Sequence, residues 1–321
     1  MNQKLYATIQ AMIDDLNNNI TPKADATAFP CFNEMALQGN PDITPAMLDA
    51  VLATLTPADI PTLQRALIAI ENKEQAWLGF KIVTDPCVVR NSEDTEVVGV
   101  KGKGAGSADD QHGIFFATED KEIVFSRPYS NRDSFQMLDI TRGPQMHNEQ
   151  YAGVAWLSES LEPASRVFIL GAGTVGSCVE KTAHDVGFAT VAVDYDSEYL
   201  NEQRFPLSKR VLISSFTDIP DLGITEDDYV LVLTRGHMYD PEALIFGVVS
   251  QAGYVGMMGC LEKNQRVFDM IEAAGTPRAT LEATHTPIGL RFGAKTPPEL
   301  AISIVAELIQ VRHDKRKQRQ Q

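Results

Sequence analysis

The sequence predicts an α/β protein whose C-terminal half is a doubly wound parallel sheet, preceded by a helical plus β-rich N-terminal domain. Three observations predict it. First, Val167 to Leu170 is a continuous apolar run, the pattern of a strand buried on both faces. Second, Gly171, Gly173 and Gly176 follow at once in G-x-G-x-x-G spacing. In that motif the first glycine permits the turn, the second admits a phosphate to the backbone, and the third lets helix pack on strand. Third, strand and helix patterns alternate from there to the C-terminus. Together these make the C-terminal half Rossmann-like.

Taken in order, residues 1–75 read as helical. Leu5, Ile9, Met12, Ile13 and Leu16 recur at helical spacing, and Thr44-Pro45 and Ile60-Pro61 open two further helices. Residues 76–160 read as β-rich, with strands expected over 80–83, 96–100, 113–117, 122–125 and 153–157. The stretch Lys101 to Ser107, KGKGAGS, fails the spacing of a phosphate loop and reads as a surface loop or a cationic gating loop. Glu162-Pro163 marks the join.

Beyond it, Thr174 to Val186 form the first helix and Gly187 its stop; Thr190 to Val193 are the second strand, which Asp194 ends. Asp194 stands where a dinucleotide fold places the acid that bonds a ribose diol. Residues 211–214, 229–234 and 253–257 are further strands. Asp240-Pro241 opens a helix with Asp240 as its cap, and Thr296-Pro297-Pro298-Glu299 is a capping box before the last. Ligands of such sheets bind at the carboxyl ends of strands. Loops 171–176, 234–240 and 257–263 therefore face one crevice, which His285 to Gly293 are placed to close. The expected domains are 1–160, 161–314 and a basic disordered tail, 315–321.

The net charge is −15, from 28 basic and 43 acidic residues, which argues against nucleic acid and anionic membranes as partners. No apolar run reaches membrane-spanning length, and the N-terminus lacks a signal-peptide layout. Four cysteines without a CxxC pair indicate free thiols and a cytoplasmic setting. The six histidines show no metal spacing, so no protein-ligated metal and no catalytic residue is expected.

The C-terminal half resembles the XdhC/CoxI family of molybdenum hydroxylase maturation factors. The resemblance rests on FILGAGTVG, AVDYDSEYLNEQRFP, VLVLTRGHMYDPEAL, YVGMMGCLEKNQRVF and TPIGLRFGAKTPPELAISIVAELIQVR, running from about Leu161 to Arg312. Thr174 replaces a histidine usual in the family's glycine loop, and Cys260-Leu261 replace Ser-Arg, while the basic Lys263 is kept. The family's Gly-Gly-Cys motif is missing from the N-terminal half, and neither Cys31 nor Cys87 stands in its place.

The resemblance implies an accessory protein that binds molybdenum cofactor (molybdopterin) and delivers it to a molybdenum hydroxylase apo-enzyme such as xanthine dehydrogenase. It also implies a cysteine desulfurase as a possible further partner, and a homodimer. Gly171, Gly173, Thr174, Val175 and Gly176 would then hold the phosphate end at a helix N-terminus. Asp194 would bond a ribose or pterin edge, His237 would project from its loop, and Cys260 and Lys263 would line theirs. His237 either contacts the ligand or caps the following helix. Cys260 either contacts sulfur or metal or fills space, and Cys178 packs. An NAD-dependent oxidoreductase using the same crevice is the alternative, with Asp194 favouring NAD over NADP. A nucleotide-sensing regulator acting through the N-terminal half is the third.

Overall fold

The computed structural model describes residues 3–32, 45–83, 88–90, 97–99, 111–139, 154–162 and 164–319. KGKGAGS and Cys87 lie outside them. The chain divides into two compact units, Met1–Pro163 and Ala164–Gln321, three residues beyond the expected boundary.

In the first unit, helices α1 (Gln3–Asn17), α2 (Pro45–Leu52) and α3 (Ile60–Glu71) carry apolar stripes. Those stripes pack on one face of an antiparallel sheet made of β1 (Ala76–Val83), β4 (Gly113–Thr118), β5 (Ile123–Phe125) and β6 (Val154–Ser160), in the order β5-β4-β1-β6. Strand alternation decides the two faces. Leu78, Phe80 and Ile82 meet Phe29, Phe32 and the helices. Phe115, Ala117 and Trp156 point the other way, onto Met137. A short hairpin, β2 (Val88–Arg90) with β3 (Val97–Gly99), stands apart from this sheet.

The expected β-rich segment also contains a helix, α4 (Asn131–Asp139). Its start is a capping box. Ser130 Oγ accepts from Asp133 N at 3.1 Å, and the Asp133 carboxylate accepts from Ser130 N at 3.0 Å. The same Asp133 faces Lys81 at 3.5 Å; Lys81 is 2% exposed, with its ammonium 5.5 Å from the Trp156 ring.

The second unit is a five-stranded, all-parallel sheet in the order β11-β10-β7-β8-β9. Its strands are β7 (Arg166–Leu170), β8 (Ala189–Asp194), β9 (Lys209–Leu212), β10 (Tyr229–Val232) and β11 (Tyr254–Met257). Val167 and Ile169 face α5 (Thr174–Asp185) and α9 (Pro297–Arg319). Phe168 and Leu170 face α6 (Asp240–Val249), α7 (Leu261–Ala273) and α8 (Arg278–Glu282). Helices on both faces explain why β7, β8, β10 and β11 are largely apolar rather than alternating; the edge strand β9 is exposed.

Helix α9 runs to Arg319, so residues expected as a disordered tail are helical. Lys315 explains part of this: its ammonium donates to the Glu226 carbonyl at 2.9 Å and sits 4.6 Å from the Tyr229 ring. Among the described residues no helix is long and apolar enough to cross a membrane.

Candidate functional site

The chain order places β7 beside β10, so consecutive connections leave on opposite sides between them. This is the topological switch point, where open α/β sheets bind ligands. The glycine loop after β7 meets the 234–240 loop after β10 there. Gly171 has φ +117°, and a Cβ on it would stand 2.4 Å from the Leu233 carbonyl oxygen. A Cβ on Gly176 would stand 2.7 Å from the Gly171 oxygen and 3.1 Å from Ile169, so the third glycine does set the helix against the strand. Gly173 is the extended residue before α5, and no side chain caps the helix there. The N–H groups of Thr174, Val175 and Gly176 have no acceptor within the helix, because the first turn of any helix lacks one. They form a natural anion cradle.

Asp194 ends β8 as expected, but its carboxylate is 1% exposed and turned onto the chain itself. One oxygen accepts from Ala172 N at 2.6 Å, inside the glycine loop; the other accepts from Asp196 N at 3.0 Å. Arg235 completes the set. Its Nη2 lies 3.3 Å from Asp194 and 3.1 Å from Asp196, and its guanidinium lies over the Tyr199 ring at 3.6 Å. Burial works against the Arg235 charge, yet the two carboxylates outweigh it and hold its pKa above the ordinary value. The Arg235 Nε is buried without a partner, and its Cγ lies 3.3 Å from where a Gly173 Cβ would stand. The stem of Arg235 thus borders the glycine loop at Gly173.

The next residues are held by a short relay. His237 has φ +61°, and Gly236 φ +65°. His237 Nδ1 contacts Asp240 at 2.7 Å, and the Asp240 carboxylate accepts from Thr234 Oγ1 at 2.5 Å. Asp240 is the first residue of α6, after Tyr239, and its side chain does not cap the helix as expected; it is used to orient His237. The ring is about two-thirds buried.

Residues 167–308 match the family model of the XdhC Rossmann domain. This segment resembles an XdhC Rossmann domain. YqeB, an uncharacterised protein of Escherichia coli strain K12, is 31% identical over 151 residues, covering 46% of this chain and 28% of that protein. A protein of Bacillus subtilis strain 168, named as a probable xanthine dehydrogenase subunit, is 27% identical over 156 residues, 48% of this chain and 45% of that one. The chain therefore spans less than half the length of either relative. A crystal structure of a xanthine dehydrogenase from Bacillus halodurans is 22% identical, with a TM-score of 0.46, over 81% of this chain and 68% of that one.

Within the matched segment the expected residues divide. Gly171, Gly173, Thr174, Val175, Gly176, Asp194 and His237 gather at the switch point. Cys260 and Lys263 sit one strand further out, both exposed, at the start of α7. Cys260 is a free thiol in the extended residue before that helix. Cys178 is half-buried on α5, against the α9 side of the core, as packing predicts. His285 turns from the crevice toward α9, bonding Glu307 through Nδ1 at 2.9 Å, so only the residues after it reach the strand ends. Arg235 was missed. Its signal was legible: it is the second residue beyond the apolar run YVLVL, and so the first charge on a crevice loop. Among the described residues no group of three histidines, cysteines or acids stands together as a metal site.

Proposed function

We propose that the chain is an XdhC-like accessory protein that binds molybdenum cofactor at the β7/β10 switch point and delivers it to a molybdenum hydroxylase apo-enzyme such as xanthine dehydrogenase. The observation that carries this is the anion cradle of Gly173 to Gly176, bordered by Arg235, within a segment that matches the XdhC Rossmann domain. The group is a pterin bearing a phosphate or nucleotide, and the residues present suit its anionic end. The open N–H groups of α5 and the Arg235 guanidinium supply donors and positive potential. When bound, the cofactor supplies redox and oxygen-transfer chemistry to its destination enzyme; this chain's residues bind and orient it. Cys260, exposed at the carboxyl end of β11, is the residue available to sulfur or metal.

Delivery requires docking, and the loop ends carry exposed apolar side chains suited to it. Met238 is 69% exposed, Leu261 62% and Phe292 57%, each on a different segment at the carboxyl ends of the strands. The partner relationship, including any cysteine desulfurase and a homodimeric state, belongs to this proposal.

The second reading is an NAD-dependent oxidoreductase, and one observation favours it: His237, oriented by Asp240 and Thr234, is the arrangement of a proton-transfer group. Asp194 counts the other way, because its oxygens already accept from Ala172, Asp196 and Arg235 and leave little for a ribose diol.

The test is a titration of the purified protein with molybdenum cofactor, NAD and NADP, alongside Gly173→Asp. Binding of molybdenum cofactor that Gly173→Asp abolishes supports delivery. Binding of NAD alone overturns it in favour of hydride chemistry.

A further inference from the structure

In the first unit, the layer between α4 and the antiparallel sheet holds strong hydrogen-bonding groups. Lys81 of β1 is 2% exposed, an ammonium buried on a sheet face. Its register partner is Trp156 of β6, on the same face, and its Nζ lies 5.5 Å from the Trp156 ring. Gly79, two residues before Lys81, shares that face. A Cβ there would collide with the Phe115 ring, so glycine is what lets that ring cross β1 beside Lys81. Phe115 and Trp156 meet edge to face, with centroids 5.7 Å apart. Asp133, Gln136 and Met137 stand at i, i+3 and i+4 on α4 and so share one stripe. That stripe comes down on this face, Asp133 onto Lys81 and Met137 onto Phe115 and Trp156.

These groups do not satisfy one another. Trp156 is 1% exposed and its Nε1 has no hydrogen-bond partner. Gln136 is 2% exposed and its Oε1 has none either. Among the described residues Asp133 is the ion-pair partner of Lys81, but at 3.5 Å. A charge-assisted hydrogen bond closes to about 2.7–2.9 Å. Interiors rarely leave such groups unpaired. The pair holds α4 down, yet stability alone does not call for it, since apolar side chains in place of a buried ion pair are often no less stable. The Asp133 carboxylate thus stands where a better acceptor fits, one that closes on the ammonium and also takes the indole N–H. Helix α4 is suited to giving way. It has nine residues, Met137 is its fully buried apolar side chain among those described, and Phe135 is 62% exposed. A segment with few buried apolar contacts opens before the rest of its domain.

We propose that this layer is a binding site for a short arylalkanoate, and that α4 is the plug that fills it in the ligand's absence. The ligand's carboxylate takes the place of Asp133 and accepts from Lys81 Nζ and Trp156 Nε1. Hydrogen bonds of about 2.9 Å from the two carboxylate oxygens span the gap between an ammonium and an indole this close together. The ligand's ring takes the place of Met137 against Phe115, Ala117 and Trp156, where edge-to-face contact is favourable. Asp133 and Met137 are one helical turn apart, about 5–6 Å, so the ligand carries ring and carboxylate on a chain of about two carbons. Charge stays balanced, because one carboxylate replaces another and Asp133 moves out to water with its helix. The site lies in the first unit and does not depend on what the glycine loop holds.

The experiment titrates the full chain with 3-phenylpropionate by calorimetry and follows backbone hydrogen exchange across α4. The controls are 3-phenylpropionamide, which lacks the charge, and propionate, which lacks the ring. 3-Phenylpropionate is expected to bind and to speed exchange in α4, with each control at least about tenfold weaker, as for the loss of one hydrogen bond or one buried ring. Trp156→Phe keeps a ring, removes the N–H, and is expected to weaken binding about tenfold by the same conversion. Lys81→Met removes the charge and should abolish binding. Asp133→Asn keeps an acceptor for Ser130 N, removes the competing carboxylate, and is expected to tighten binding about tenfold. Gly173→Asp, in the other unit, should leave binding unchanged. The proposal is overturned if 3-phenylpropionate does not bind at millimolar concentration, or if the amide binds as well. It is also overturned if binding leaves α4 exchange unaltered, if Trp156→Phe binds as tightly as the wild type, or if Asp133→Asn binds no tighter.

Discussion

Arg235 is the residue on which the crevice turns. It pairs with a carboxylate that is 1% exposed, lies over a tyrosine and borders the second glycine. Arg235→Ala leaves Asp194 short of a donor in a buried place, so a loss of roughly 1–3 kcal/mol is expected. A lower urea midpoint at unchanged slope would show it. The same variant is expected to weaken any phosphate-bearing ligand; unchanged affinity would take Arg235 out of the site. Gly171→Ala is the harsher substitution. It combines φ +117° with a 2.4 Å clash against the Leu233 carbonyl. It should cost about 2–5 kcal/mol, from left-handed strain plus overpacking. A thermal midpoint within a degree of wild type would contradict the close approach of the two loops. At this scale the sequence was legible where chemistry is local. The close packing at Gly171 and Gly176 followed from spacing alone. That the Asp194 carboxylate would be satisfied internally did not, because it finds partners through tertiary folding: Ala172 is 22 and Arg235 41 residues from it.

Among the elements, α9 is tied to β11 by Glu307. Burial raises the Glu307 pKa, but hydrogen bonds from His285, Gly289 and Tyr254 together outweigh it, so the folded value lies below the ordinary one near 4.5. The sign follows. A carboxylate depressed in the folded state adds stability that is present above its unfolded pKa and lost as pH falls through the folded one. The advantage of wild type over Glu307→Gln should therefore be constant above about pH 5 and shrink through the acid range below the unfolded value. Thermal unfolding across that range checks it, and a gap that widens toward acid would refute it. In the first unit, α4 is tied to its sheet by the Lys81–Asp133 pair. Removing one buried partner costs more than replacing the ion pair by apolar groups. Asp133→Ala, which also breaks the capping box, should be destabilised by about 3–5 kcal/mol, and the double variant Lys81→Met, Asp133→Ala should recover much of that. Equal losses in the single and double variants would mean that capping alone is at stake. Helix α4 was itself missed in the sequence, although Ser130-x-x-Asp133 resembles a capping box. Its nine-residue span and polar composition left it inside a stretch read as strands and turns. The longer helices and the strands β7, β8, β10 and β11 were legible, since each carries an apolar pattern over several residues, whereas the exposed β9 lies two residues earlier than its expected span.

For the whole molecule, the division of the cores matters most. The apolar clusters of residues 3–161 and of 167–308 share no member. Each unit thus has what a domain needs to fold by itself. Residues 164–321 alone are expected to give one cooperative thermal transition and to retain the glycine-loop ligand binding of the full chain. A non-cooperative melt would show that the fragment depends on the first unit. Chain length and Glu162-Pro163 pointed to two parts, and the two compact units divide after Pro163.

The two tryptophans add an optical consequence. Trp77 and Trp156 stand on the paired strands β1 and β6, and the chain has only these two. Emission excited at a wavelength selective for indole therefore watches the N-terminal unit and is blind to the glycine-loop domain, whereas far-ultraviolet ellipticity follows both. Denaturation recorded by both signals on one sample becomes a meter of how strongly the halves are coupled. Superimposed curves mean that they melt as one, and an ellipticity change left over after the indole signal is complete belongs to the crevice-bearing half.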